Sequence, residues 1–313
     1  MITPKKIGFD SSHNNKLVIE SNAFSDFIQY LFNSDFKVGK IEAGLNYDKL
    51  SVYDLFVIGV PSGGAKISAE EIETLLKYIK NGGSVLIIND KGGDYENKSN
   101  LNELSKNFGI IFNSDRLFDS QKFSKENSRP IITEFKSHFI TREIKEFVYS
   151  NGCTLQIIQS IETKDQEINT DVNAIAFSSK DTASHVYFNE NKNDWVVESV
   201  QKIAIIAVAH YGLGKVVALG NLSIFSSLEY SYGVRAADNF KLIANIFSWL
   251  LNKASTEEEK KTLPIFLTVP LEQDLYYWVS EKIKEGKWKN IEDLINFAVK
   301  IVKLRIKQEK DDD

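Results

Sequence analysis

Hydrophobic positions along the first 110 residues follow two alternating periods. Short apolar runs at Lys6–Asp10, Phe36–Ile41, Asp54–Val60 and Ser84–Ile88 read as strands, and the last two are continuous enough to be buried on both faces. Between them, Ser21–Asn33 places Phe24, Phe27, Ile28 and Leu31 at helical spacing, and Ser68–Asn81 sets Ile72, Leu75, Leu76 and Ile79 on one face. Ser68 followed by Glu71 predicts a capping box, and Gly82-Gly83 predicts the stop. Strand–helix units in series imply an α/β, doubly wound, mainly parallel sheet of flavodoxin-like kind, with helices on both faces.

The pattern weakens after Asn113. Alternation at Ile131–Phe135, Thr154–Ile158, Ala174–Phe177 and Trp195–Val197 predicts further strands. Ile203–His210 and Lys215–Gly220 flank Tyr211-Gly212-Leu213-Gly214 as a β-hairpin, and Asp238–Leu251 is an amphipathic helix that closes the domain. Asn252–Thr262 is polar, highly charged and without an apolar period. It divides the chain into a domain over 1–252, a charged linker over 253–262 and a small module over 263–313. In that module Pro264–Pro270 reads as a strand, Leu271–Glu285 as a helix and Gly286–Asn290 as a turn. Ile291–Gln308 reads as a second helix, capped by Asn290 with Asp293 after it.

Composition changes the picture only by exclusion. The net charge of -5 argues against a surface built chiefly for nucleic acid or anionic lipid. The single cysteine, Cys153, forms neither an internal disulfide nor a zinc-ribbon cluster. The longest apolar run, Ile203–Ala209, falls far short of the ~20 residues that span a bilayer. The opening residues also lack an apolar region of signal-peptide length. The expectation is a cytoplasmic protein with no membrane insertion, no cofactor and no structural metal.

Candidate chemistry gathers where the predicted strands end, since ligands of open parallel sheets lodge beyond the carboxyl ends. Asp10, Ser11, His13 and Asn14 follow the first strand, Ser62, Gly63 and Gly64 the third, and Asn89, Asp90, Gly92 and Gly93 the fourth. Short polar side chains beside free backbone amides suit a polyhydroxylated or anionic small molecule, or a protein partner. The same residue types also satisfy turn geometry with no ligand at all. Neither Gly-Lys-Ser/Thr nor Gly-x-Gly-x-x-Gly is present. No histidine pair has metal-ligand spacing; His138, His185 and His210 read as structural, whereas His13 sits at the ligand edge. Asp10, His13 and Asp90 leave open an acid–base or metal-assisted hydrolase.

Residues 6–252 resemble the glutamine-amidotransferase-like (GIFT-type) domains of the intraflagellar transport group and their prokaryotic relatives. The resemblance rests on Ile7-Gly8-Phe9-Asp10-Ser11-Ser12-His13, Leu55-Phe56-Val57-Ile58-Gly59-Val60-Pro61 and Ile67-Ser68-Ala69-Glu70-Glu71. It continues through Tyr78-Ile79, Gly82-Gly83-Ser84-Val85-Leu86, His138-Phe139-Ile140-Thr141, Gly212–Gly220 with Asn221, and Asp238-Asn239-Phe240. True amidotransferases carry a nucleophilic Cys on the turn after the fourth strand; Asn89-Asp90-Lys91 stands there, and none can act as the thiolate. The resemblance therefore implies a non-enzymatic binding or scaffolding domain, with saccharides among its candidate ligands, and a structural hydrogen bond for His138.

Residues 264–299 resemble ribbon-helix-helix domains: Ile265-Phe266-Leu267-Thr268-Val269-Pro270, then Leu271–Leu275, Gly286-Lys287-Trp288-Lys289-Asn290, and Glu292–Val299. A lone strand needs a second copy to pair with, so this likeness implies a homodimer through 263–313. The residues that would serve dimerisation are Ile265, Phe266, Leu267, Val269, Leu275, Trp288, Leu294 and Phe297. Nine Lys or Arg against ten Asp or Glu over 262–313, with Phe266 on the outer strand face, favour dimerisation without DNA reading. A ligand-sensing transcriptional regulator is the alternative.

Overall fold

A computed structural model describes residues 4–34, 36–158, 170–252 and 273–288, with 291, 293–295, 297, 298 and 301. Met1–Pro264 and Ile265–Asp313 are two separate compact units. The linker 253–262 and the strand candidate with Ile265, Phe266, Leu267 and Val269 lie outside the described residues.

The first unit opens as its pattern predicts. β1 (Lys6–Asp10), β2 (Lys37–Ile41), β3 (Leu55–Gly59) and β4 (Ser84–Ile88) alternate with α1 (Ser25–Asn33), α2 (Tyr47–Ser51) and α3 (Ala69–Lys80). Ser21 caps a separate 3-10 turn over Asn22–Phe24, so the first helical segment breaks in two. Ser68 and Glu71 form the expected reciprocal capping box. Two short helices follow, α4 (Gly93–Asn97) and α5 (Leu101–Ser105), and then β5 (Ile110–Phe112) and β6 (Asp115–Asp119). Their span of about one turn gives too little periodicity to detect.

β7 (Ile131–Ile132) and β9 (Phe147–Val148) pair with each other. β8 (Glu134–Phe135), β10 (Leu155–Ile157) and β11 (Thr170–Phe177) join the hairpin β14 (Ala204–Tyr211) and β15 (Gly214–Leu219). Gly212 turns that hairpin at φ +59°, with the carbonyl of Lys80 2.8 Å from where a Cβ would stand. The central sheet runs β2-β1-β3-β4-β15-β14-β10-β5. It is parallel from β2 to β15 and antiparallel beyond, so the predicted parallel sheet carries an antiparallel extension.

Helices cover both faces. On one, Leu50, Leu75, Ile79, Leu101 and Leu104 pack on Phe56, Ile58, Val85 and Ile87. On the other, Phe27 of α1 meets Phe9 at 6.3 Å and Phe247 of α6 (Asn239–Leu251) at 5.5 Å. β12 (Ala183–Asn189) and β13 (Asp194–Ser199) leave the main sheet and form a three-stranded sheet with β6, in the order β13-β12-β6. The second unit carries α7 (Gln273–Lys284). Among the described residues no helix is long and apolar enough to cross a membrane.

Asn239 shows how the irregular middle is fastened. Its carbonyl accepts the Val148 N–H at 2.8 Å, and its amide donates to Tyr232 O at 3.0 Å and Gly233 O at 2.8 Å. The side chain is fully buried. Asn239→Ala removes a partner from four backbone groups, the Val148 carbonyl at 3.3 Å included, and should cost about 2–3 kcal/mol in urea unfolding. A loss below about 1 kcal/mol would show that those loops find other partners.

Candidate functional site

The loops leaving β1, β3 and β4 meet at the carboxyl edge of the parallel strands, as the sequence predicts for Asp10, His13, Ser62, Gly63, Asn89 and Asp90. Their inner side chains are committed to one another. Asp10 Oδ1 accepts the Ser12 N–H and hydroxyl at 2.9 and 2.7 Å, and its Oδ2 accepts His13 Nδ1 and the Asn15 amide at 2.8 Å each. His13 Nε2 faces Glu71 Oε2 at 3.3 Å, and that oxygen also accepts the Ser68 N–H at 2.9 Å. Carboxylates only accept, so two of them facing both ring nitrogens favour the doubly protonated, charged ring. Burial works against that charge, but the Asp10 hydrogen bond and charge, with Glu71 behind, raise the His13 pKa. Burial likewise opposes ionisation of Asp10, yet His13 and Ser12 hold it below its ordinary value; Ser68 and then His13 do the same for Glu71. His13 thus clasps the first loop to the cap of α3. Both Asp10 and His13 are buried.

Asn97, at the end of α4, ties the three loops together. Its amide donates to Asn89 Oδ1 at 3.0 Å and Gly93 O at 2.7 Å, its side-chain oxygen accepts Lys16 Nζ at 2.6 Å, and its backbone carbonyl accepts the Gly63 N–H at 3.1 Å. Asn89 is fully buried and donates to Asp94, whose carboxylate caps α5 through the N–H groups of Leu101 and Asn102. Gly92 and Gly93 stand at φ +72° and +51°. A Cβ on Gly93 would fall 2.5 Å from the carbonyl oxygen of Asn113, so the loop closes only on glycine. On the rim, Asn14 at φ +47° accepts the Ser62 hydroxyl at 2.8 Å through its carbonyl, and Ser11, Asn14, Gly63 and Gly64 are exposed.

Asp90 stands apart. Its Oδ1, like Oδ1 of Asn15, is buried with no hydrogen-bond donor among the described residues. Burial pushes its pKa up to about 6, against the pull of the Lys16 charge and the backbone N–H groups of Lys91 and Leu222. A carboxyl poised there can exchange a proton near neutral pH. Cys153 is fully buried, and burial followed by the charges of Asp115 and Asp90 raises its thiol well above the ordinary value. Among the described residues no group of three His, Cys, Asp or Glu is placed to hold a metal ion. His138 accepts the Ile140 N–H at 3.2 Å and lies edge-on to Trp249, the local hydrogen bond expected of it. Asn15, Lys16 and Asn97 were not singled out from the sequence, and Glu71 entered only as the capping-box partner of Ser68. Glu71, Lys16 and Asn97 act on loops distant in the chain, where local spacing leaves no trace, while Asn15 bonds Asp10 within its own loop.

A model of the IFT52 GIFT domain matches residues 7–259. The chain belongs to the IFT52 GIFT domain family. It is 24% identical to the mouse intraflagellar transport protein 52 homolog over 259 residues, covering 75% of this chain and 53% of that protein. It is 24% identical to the human homolog over 170 residues, covering 48% and 38%. The chain thus spans about half or less of these curated relatives. The solved mmIFT52 N-terminal domain superposes with a TM-score of 0.62 at 20% identity, covering 80% of this chain and 99% of that one, a likeness of fold.

In the second unit, Leu275, Tyr276, Tyr277 and Trp278 of α7 are about half exposed, and the Trp288 and Phe297 rings meet at 4.7 Å. Leu294 is half-buried.

The His13 clasp has a signature in pH. Its pKa lies above the ordinary 6.5, so its contribution to stability is complete below pH 6.5 and fades as pH rises through the folded value. Asp10 and Glu71, lowered from 3.8 and 4.5, contribute fully above those values and lose their share on acidification. His13→Asn should therefore cost about 3 kcal/mol near pH 6, as a broken buried pair does, and distinctly less at about pH 9. Urea unfolding of both proteins at the two values checks this; a difference constant with pH removes the charged clasp.

Proposed function

We propose that this member of the GIFT-domain family is a non-enzymatic binding and scaffolding protein, related in role to the intraflagellar transport subunits, and that its second unit pairs two copies. The observation that carries the reading is Asn89. The turn that holds the nucleophile in amidotransferases has here a fully buried asparagine whose amide and carbonyl serve Asp94, Asp90 and Asn97. Polar atoms spent in this way hold loops and leave little to turn over a substrate. The half-exposed Leu275, Tyr276, Tyr277 and Trp278 of α7, on a unit of 49 residues, support association, because apolar surface on so small a body is stabilised by a second copy. The rim of exposed Asn14, Gly63 and Gly64 with half-buried Ser62 suits a polar ligand, a saccharide included.

Sedimentation of the full chain and of residues 1–255 tests the pairing, with DNA anisotropy at two salt concentrations run alongside. The full chain should sediment as a dimer and the shorter one as a monomer, with no salt-sensitive DNA binding by either. Amidase or hydrolase turnover that disappears in Asp90→Asn would replace this reading with the enzyme. DNA binding lost in the shorter chain would replace it with the regulator.

A further inference from the structure

The outer face of the β13-β12-β6 sheet presents side chains that the carboxyl-edge loops do not use. Cross-strand partners share a face, and the register sets Arg116 opposite Val186, Ser184 opposite Phe118, and Phe188 opposite Trp195. α4 lies across this face. Its Tyr95 ring stacks on Phe188 at 6.3 Å and 9°, and Phe188 meets Trp195 edge-on at 5.6 Å. Between helix and sheet lies a cleft of about 310 Å³ lined by Glu96, Arg116, Phe118, Val186 and Trp195. The opposite face of the sheet is anchored: Leu117 is fully buried, and His185 Nδ1 bonds buried Asp115 Oδ2 at 2.7 Å. The platform is therefore fixed while its outer aromatics remain open, Trp195 at 53% and Tyr95 at 55% exposure.

Arg116 gives the cleft its chemistry. Arg129 and Arg235 each pair with a carboxylate, Glu126 and Asp26. Arg116 is half-buried, lies over the Phe118 ring at 5.9 Å, and forms no ion pair among the described residues, Glu96 across the cleft included. A planar guanidinium over an aromatic ring is weakly hydrated and keeps a fork of donors that matches a carboxylate. The volume takes one or two side chains and is too small for a folded domain. Glu96 in its lining disfavours a polyanion.

We propose that this cleft docks an extended peptide segment of a protein partner. A single Asp or Glu of the segment pairs with Arg116, an apolar or aromatic neighbour packs on Trp195 and Val186, and backbone N–H groups or a basic residue face Glu96. The assignment rests on the scaffolding reading and names where one partner sits.

Short random peptides displayed on phage, panned in parallel against the full-length wild type, Arg116→Gln and Trp195→Ala, test it, with thermal melts confirming that the variants fold. Wild type should enrich peptides with one acidic residue beside Trp, Phe or Leu. A synthetic winner should bind Arg116→Gln and Trp195→Ala each about tenfold more weakly, the loss of one charge-assisted contact or one aromatic anchor. Arg116→Lys, which keeps the charge without the fork, should fall between. No enrichment, or enrichment indifferent to both substitutions, overturns the cleft, as does equal displacement by polyglutamate or a DNA oligonucleotide. Sedimentation of the same samples separates the two failures, since a dimer that selects no peptide loses the cleft and keeps the scaffold.

Discussion

The carboxyl edge of the parallel strands depends on satisfying polar groups that the sheet has buried, and Asn97 meets most of that requirement. Three loops converge there, each bringing donors or acceptors that water no longer reaches, and a buried amide or carbonyl without a partner costs about 1–3 kcal/mol. The Asn97 side chain joins Lys16 of the first loop to Asn89 and Gly93 of the third, while its backbone carbonyl takes the Gly63 N–H of the second. Left-handed residues on both sides, Gly92 at φ +72° and Lys98 at φ +54°, hold α4 to the one turn that aims Asn97 inward. That turn also fixes where Tyr95 and Glu96 point, which is outward. A single short helix thus closes the loop cluster on one side and walls the aromatic cleft on the other.

The parallel strands were legible because their signal is local. Leu55–Gly59 and Ser84–Ile88 are buried along their whole length and read as unbroken apolar runs, while Ser68 and Glu71 announce α3 within four residues. The three-stranded sheet was legible only at Trp195–Val197. Along β12 no residue but Ala183 is fully buried, so His185, Tyr187 and Phe188 give no clean inside-and-outside alternation. The site followed the same rule. Its loops could be placed from the ends of the strands, but not the bonds within them. His13 meets Glu71 across 58 residues, and Lys16 meets Asn97 across 81. A histidine at a ligand edge and a histidine clasping a helix cap have the same neighbours in sequence.

That difference bears on chemistry. A catalytic edge keeps a nucleophile exposed and a base free to move a proton. At this edge the imidazole lies between two carboxylates that favour its charged form, and the nearest thiol is buried and raised in pKa. Asp90 retains an unpaired buried oxygen and a pKa near the working range. One such group can exchange protons, but a hydrolytic step also asks for an activated attacking group and a donor to the leaving atom. The neighbours that could supply them, Lys16 and Asn89, are bonded to Asn97 instead.

Exposed groups left unpaired within a folded chain mark where binding energy is still available, and here the largest of them lie away from the strand ends. Arg116 keeps its fork of donors over an aromatic ring, and Trp195, Tyr95 and the α7 aromatics keep half their surface in water. A buried loop cluster whose side chains bond one another lends its order to whatever is attached to it. In this fold α4 is what is attached, so the bonding that leaves the loops little chemistry preorganises the cleft beside them, and a preorganised surface loses less entropy on meeting a partner.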